Sequence, residues 1–600
     1  MLDVELLTAG LGENTADLVV ANGRLVNVLT EEIYPADVAV AGSKVLAVGD
    51  VERYRGPETE MVDAAGAYLV PGLVDGHIHI ECSKLSVTMF ARAVVPFGTT
   101  SAVSGLDQIL VVAGLEGLRE FLEEAKAGPL KVFWGAPFKT PYTLPESTVG
   151  HTFGPREHEA AQRWPECVGV WETVQEFVLA QDPDVLAALA LATENRLPVL
   201  GCAPMARGER IVALAAAGVR ADHESYSAEE TLEKLRNGMH VMIRESSVAH
   251  FLAENVRVVT ESGASARRIA FCTDDVTASD VLRDGHLDRL IRMAIEAGVK
   301  PMDAIQMATL NCAEIYRVDD RVGAIAPGRF ADILLVDDLE HFRVDAVIAN
   351  GRPVARGERM TASFEPPSRG PSLLRTFRLD EVVPSDLAVR VDPAARAVRV
   401  LAMRMDEEVP FVRKRRDVVL AARGGVVPPD REQDALYVTV VERYGKTGHR
   451  PVAFVSGFGL RAGAMASSAA PDDNNVVCVG VNPDDMALAV NEIVRAGGGQ
   501  IVVCDGEVVA FLALPVGGIV ADLDPARMAA EETRLDDAAR SLGCRLPSPF
   551  MYLMFLAITA IPDYAITDLG LVDCVTLDVV SPILGLVDDA AASPPPAPVV

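Results

Sequence analysis

Short apolar runs alternate with longer amphipathic stretches through the middle of this 600-residue chain. Eight of the runs read as strands: Ala67–Val74, Thr99–Val103, Lys131–Ala136, Cys167–Trp171, Leu197–Gly201, Val219–Ala221, His240–Ile243 and Ile269–Thr273. Strands separated by helix-length segments predict a parallel sheet with covering helices. Eight is the number that closes a barrel, whose chemistry gathers just past the strand ends. Polar residues follow the runs in step: His77 and His79 after the first, Glu172 after the fourth, His223 after the sixth, Arg244 and Glu245 after the seventh, Asp274 and Asp275 after the eighth.

On either side of this region the period shortens. Asp17–Val48 alternates apolar and polar residues with turn signals at Asn22-Gly23 and Gly42-Ser43, and Ile325–Val354 carries turns at Pro327-Gly328 and Asn350-Gly351. The two pieces predict one small β-sandwich domain, residues 1–66 plus 322–360, interrupted by a TIM-type (β/α)8 barrel over 67–321. Arg356–Arg375, rich in Pro, Ser and charge, reads as a linker, and residues 376–586 as a further α/β domain with Gly-rich turns at Gly457–Gly463 and Gly497–Gly499. The tail, 587–600, holds four prolines between Ala590 and Val600 and is expected to be disordered.

His77-Ile78-His79 is the leading chemical signal. Alternation along a strand puts both imidazoles on one face, about 7 Å apart at the backbone, where they can chelate one metal. A histidine pair of this kind is also met on surfaces and in hydrogen bonds; its context, Val70-Pro71-Gly72-Leu73-Val74-Asp75-Gly76 before it and Glu81 after, favours the metal.

Composition narrows the partners more than the fold. A formal net charge of −30 repels phosphate backbones and anionic membranes, so nucleic acid is not an expected partner. The most apolar stretch, Phe550–Ile561, lies between Pro549 and Pro562 and is too short for the roughly 20 residues a bilayer needs. Met1–Asn14 lacks a basic start and an apolar run, and nine cysteines show no CxxC spacing, which together predict a cytoplasmic protein with reduced thiols. A homodimer or larger homo-oligomer is the expectation for a soluble protein of this size.

The motifs PGLVDGHIHIE (Pro71–Glu81), FCTDD (Phe271–Asp275) and GAIAPGRFADILLVDDL (Gly323–Leu339) resemble the amidohydrolase superfamily. Within it the chain is most similar to adenine deaminases, through FARAVVPFGTT (Phe90–Thr100), AAGVRADHE (Ala216–Glu224), MIRES (Met242–Ser246), MATLNCAEIY (Met307–Tyr316), GFGLRAGAMASS (Gly457–Ser468) and AFLALPVGG (Ala510–Gly518). The resemblance implies one or two divalent ions (Zn, Mn or Fe) held by His77, His79, His223, Glu172 and Asp274. Glu172, His223 and Asp274 are then the catalytic set, with Glu172 able to bridge two metals and Asp274 able to take a proton from the metal's water. A divalent metal acidifies bound water, and a neighbouring carboxylate can carry its proton to a leaving nitrogen.

Three segments depart from the family pattern. Gly201-Cys202-Ala203-Pro204 stands where a Gly-His-x-Pro ligand is usual, Gly105-Leu106-Asp107-Gln108 where Asp-Pro-His-Glu is usual, and Pro471-Asp472-Asp473-Asn474-Asn475 where His-Asp-Ser-His-Asn is usual. Cys202 is either a thiolate ligand or a small buried thiol. His151, in Gly150–Gly154, either donates to a substrate carbonyl, replaces a ligand, or is a solvated loop histidine; Lys139 is a weaker candidate in the same loop. Arg244, Glu224 and Asp275 are expected to face substrate, Arg244 as a clamp for an anion or carbonyl.

The expected activity is hydrolysis of a carbon–nitrogen bond in a small nitrogen heterocycle, either deamination of an amino-purine-like ring or opening of a cyclic amide. The exchanged segments, with Asp107, Gln108, Asp473 and Asn474 in place of His, Glu and Ser, point to an amide edge and make adenine an expected poor substrate. A catalytically inactive binding protein on the same barrel is the alternative of a different class, and metal content with turnover separates the two.

Overall fold

A computed structural model of the chain describes residues 4–587 apart from Glu13, Glu407, Glu408 and Pro410. All but the first residue of the expected disordered tail, 587–600, lies outside the described residues. The eight parallel barrel strands are β1 (Leu73–Asp75), β2 (Thr99–Ser104), β3 (Lys131–Pro137), β4 (Cys167–Val174), β5 (Val199–Cys202), β6 (Val219–Asp222), β7 (His240–Arg244) and β8 (Ile269–Cys272). They pair in chain order, and backbone bonds from Gly76 N to Phe271 O (3.3 Å) and Asp274 N to His77 O (2.9 Å) join the last strand to the first. Val74, Val103, Phe133, Trp171, Leu200, Met242 and Ala270 fill the interior, the small-and-branched packing that keeps such a barrel closed.

The first expected strand, Ala67–Val74, is two strands. Tyr68–Pro71 pairs with Ile333–Val336 and Leu18–Asn27 in a nine-stranded sheet, and only after Gly72 does the chain enter the barrel. That sheet therefore extends past the boundary expected at residue 66. Gly72 makes the switch because a Cβ there would lie 2.1 Å from Thr100 Oγ1. Asn22-Gly23 is likewise a bulge within Leu18–Asn27 and no hairpin turn: Asn22 (φ +60°) donates its N–H to Asp37 and its amide to Asp63, holding the strand on both sides.

Residues Ala397–Leu586 build a second nine-stranded sheet, flanked by helices Pro483–Ala496 and Pro525–Ser541, and a three-stranded sheet, Tyr564–Thr567, Gly570–Asp573 and Asp578–Val580. The expected linker is fastened down. Arg369 pairs with Glu124 of the barrel and Asp522 of the C-terminal unit, both at 2.5 Å, so the segment staples the two together. The apolar stretch near residue 550 forms a helix, Pro549–Met554, and a 3-10 turn, Phe555–Ala557, packed in the common core. Among the described residues no helix is long and apolar enough to cross a membrane.

Candidate active site

The groups past the strand ends converge. His77 Nε2 lies 3.0 Å from Glu172 Oε2 and 3.6 Å from Asp274 Oδ1; His79 Nε2 is 3.6 Å from the same Asp274 oxygen; His223 Nε2 is 3.8 Å from Glu172 Oε1. Possible ligand atoms of His77, His79 and Asp274 fall within 4.8 Å of one another, as do those of His77, Glu172 and His223, and of Cys202, His223 and Glu224. Both ring nitrogens of His77, and Glu172 Oε2, are buried with no hydrogen-bond partner. Buried polar atoms are normally satisfied, and an orphaned imidazole beside an orphaned carboxylate is what a divalent cation would complete. Histidine nitrogens and carboxylate oxygens are the donor types that suit a divalent cation. Glu172 (φ +54°) and Asp274 (φ +59°) both hold the left-handed conformation that non-glycine residues avoid, a strain that persists where geometry is fixed for function.

Each imidazole is aimed by a second group. Asp107 Oδ1 lies 3.3 Å from His79 Nδ1, and Gly201 O lies 3.1 Å from His223 Nδ1, which leaves the Nε2 atoms toward the centre. His77 stacks between Trp171 (ring centroids 3.8 Å apart) and His223 (3.7 Å). Behind β6 the buried Lys234 ammonium donates to Ala203 O, Asp222 Oδ2, Glu224 O, Ser225 Oγ and Glu230 Oε1, locking the loops that carry Cys202 and His223. Asp75 accepts from His77 N and from Thr273, tying the ends of β1 and β8.

Burial and charge set the protonation states. Burial pushes His77 down to about 3 and His223 down to about 4, so both are neutral and able to ligate. Burial works against protonated His79, but the Asp107 carboxylate holds its pKa above the usual range. Asp274 is buried, yet Arg244, 2.5 Å away, keeps it far below the carboxylate range and ionised. Burial raises Glu224 to about 8 against the pull of Arg244, and raises Asp275 to about 7 with help from the Asp274 charge.

A pocket opens over this centre. His79, Glu172, Cys202, His223, Glu224 and Asp274 form its floor; Tyr142, Tyr226 and, from the C-terminal unit, Phe411, Asp472, Phe555, Ile558 and Ile561 form its walls. Arg244 and Asp275 also reach it; the Arg244 guanidinium is bound to Glu224 (2.7 and 3.0 Å) and Asp274, and only its buried Nε lacks a hydrogen-bond partner. His151 does not line the pocket and sits in a different cleft, and Lys139 is paired with Glu146 and Asp182.

Against known proteins, residues 68–354 match the amidohydrolase family and residues 411–578 the adenine deaminase C-terminal domain. The chain is 59% identical to "Adenine deaminase 4" of Rhizobium meliloti, over 95% of this chain and 96% of that one. It is 55% identical to "Adenine deaminase 1" of Desulfotalea psychrophila (97% and 98% covered) and 52% identical to "Adenine deaminase 1" of Latilactobacillus sakei (97% and 98%). The chain belongs to the adenine deaminase family. It is thus a hydrolytic enzyme acting on a carbon–nitrogen bond, from a family that uses a divalent metal.

Within this family the exchanged segments take on a different meaning from the one their residue types suggest. Of Asp107, Gln108, Asp473 and Asn474, none lines the pocket. Asp107 orients His79, Gln108 donates to Cys82 Sγ, and Asp473 accepts from Asn475 N and, through its carbonyl, from Tyr444 Oη. The residue of that loop that enters the pocket is Asp472, whose pKa burial and then the neighbouring Asp473 charge push well above the usual value. Tyr142, Tyr226, Lys234 and the C-terminal wall were not legible from motifs. A weak signal existed for the wall, since Phe550–Ile561 is too apolar to be a surface segment.

Proposed function

We propose that this enzyme deaminates free adenine, adding water at the ring carbon that bears the amino group and releasing hypoxanthine and ammonia. The observation that carries the reading is the pairing of full-length similarity to proteins named adenine deaminase with a buried donor set of three histidines and two carboxylates under a small pocket walled by aromatic and aliphatic side chains. Such walls suit a flat heteroaromatic base, with the few polar groups fixing its orientation.

His77, His79, His223, Glu172 and Asp274 would hold the metal, one ion or two of Zn, Mn or Fe, with Cys202 in reach of the His223 side. When bound, the ion supplies a water acidified toward neutral pH. Asp274, kept ionised by Arg244, accepts a proton on its carboxylate and returns it to the departing amino nitrogen. Asp472, whose carboxyl burial raises, can donate a hydrogen bond to a ring nitrogen of the base, while Glu224, held by Arg244 through both oxygens, can accept one from the amino group of the base. The C-terminal wall excludes bulk water from the pocket. The nine free thiols support a cytoplasmic setting, and a homodimer or larger assembly is the proposed state.

The experiment is a comparison of kcat/KM for adenine and for a panel of cyclic amides and imides, following ammonia release and ring absorbance with Zn, Mn or Fe resupplied. Adenine should exceed every cyclic amide by about four orders of magnitude, the discrimination expected when buried polar groups are left unpaired. Faster opening of a cyclic amide than deamination of adenine would overturn the proposal.

A further inference from the structure

A second cleft, of about 470 Å³, opens where the loop at Gly150-His151, the segment from Pro371 to Arg378 and the turn Tyr444–Lys446 meet; it shares no residue with the active-site pocket. In a chain of net charge −30 its lining is basic: Arg375, Arg378, Lys446 and His151, against one acid, Glu116. Among the described residues no carboxylate oxygen lies within 4.0 Å of the Arg375, Arg378 or Lys446 cationic groups. Lys446 Nζ donates instead to the carbonyls of Val149 (2.7 Å) and Gly150 (2.9 Å), which hold the ammonium in place without cancelling its charge.

The backbone around the cleft is shaped to fit. Helix Asp107–Ala127 breaks at Gly114 (φ +65°), where a Cβ would come within 2.8 Å of His151 Nδ1, and His151 N donates to Val111 O on the same helix. Partial burial, and then the charges of Lys446 and Arg378, push the His151 pKa down, so His151 feels the positive field in the cleft. Tyr444, a wall of the cleft, donates to Asp473 O at 2.5 Å, one residue from Asp472 of the active-site pocket.

We infer that this cleft is a binding site for a small phosphate-bearing anion, separate from the catalytic centre. Two unpaired guanidinium forks and a fixed ammonium are the groups that recognise phosphate oxygens. The volume lies within the roughly 300–1,000 Å³ of small-ligand sites, which favours a small molecule over a protein surface.

The test is calorimetric titration of the full-length, metal-loaded enzyme with inorganic pyrophosphate and, separately, with AMP, which distinguishes a bare phosphate ligand from a nucleotide. At least one should bind, more weakly as salt rises. The double variant Arg375→Gln/Arg378→Gln, at two exposed positions, should keep its native circular dichroism and bind at least about tenfold more weakly. Arg431→Gln/Arg461→Gln, in another basic cleft, should bind as the parent does. Absence of binding at millimolar concentration, equal affinity in the Arg375/Arg378 variant, or loss that follows Arg431 and Arg461 would each overturn the inference. So would binding of a poly-glutamate peptide in place of both phosphate probes, which would assign the cleft to a protein partner.

Discussion

Replacing Asp274 with Asn separates chemistry from folding. In the wild-type site Asp274 Oδ1 stands 3.6 Å from the Nε2 atoms of both His77 and His79, while Oδ2 receives Arg244 at 2.5 Å. Asn keeps the shape and one oxygen but cannot accept and return a proton. Loss of a general acid–base group costs about 100- to 10,000-fold in rate, which is roughly 3 to 5 kcal/mol on the barrier. The fold should not suffer in proportion. Arg244 keeps both bonds to Glu224, and removing the Asp274 charge relieves Asp275, Glu224 and Glu172, whose carboxyls it helps to push upward. Ammonia release at matched metal content should therefore fall by at least two orders of magnitude, while the denaturant midpoint stays level or rises. Turnover within tenfold of wild type would remove Asp274 from the proton path and leave Asp275 or Glu224 as the acceptor.

Other perturbations read different parts of the same construction. His77→Ala should strip the metal, measured by elemental mass spectrometry, and abolish turnover with native circular dichroism; full activity without metal would end the metal-hydrolase reading. Asp107→Asn should weaken metal affinity by about 10- to 100-fold through His79 alone, and unchanged affinity would deny Asp107 its orienting role. Lys234→Met strands the buried Asp222 and Glu230 carboxylates and should cost about 3–5 kcal/mol in chemical unfolding, whereas a loss below about 1 kcal/mol would contradict the pairing. His158, buried and hydrogen-bonded to Phe138 O and Gln162, has its pKa lowered to about 4 from 6.5, so the unfolded chain binds its proton more readily. The stability tied to its neutral form is complete above pH 6.5 and drains away as pH falls toward 4, by roughly 3 kcal/mol. His158→Gln should flatten that part of the pH–stability curve, and an unchanged slope would refute the assignment.

The parts of this protein written in local sequence are those whose physics is local. The alternation of eight apolar runs with helical segments is a short-range signal, so the barrel and its polar register were readable, and His77, His79, Glu172, His223 and Asp274 converge because every parallel strand delivers its C-terminal end to the same mouth. Strand continuity was less legible: Ala67–Val74 is one apolar run, and only the crowding at Gly72 divides it between two sheets. What residue types alone could not give was direction. Asp107, Gln108, Asp473 and Asn474 looked like substrate contacts, yet none of the four lines the pocket, and Arg244 is already engaged by two carboxylates. His151 left the active site for the same reason, since the break at Gly114 and the carbonyl of Val111 draw its loop to another cleft. The pocket walls, Phe411, Phe555, Ile558 and Ile561, come from residues far along the chain beyond the barrel, and so does Asp472. Their placement depends on how two domains pack, a sum of many weak contacts and the Arg369 staple, which no short window of sequence contains.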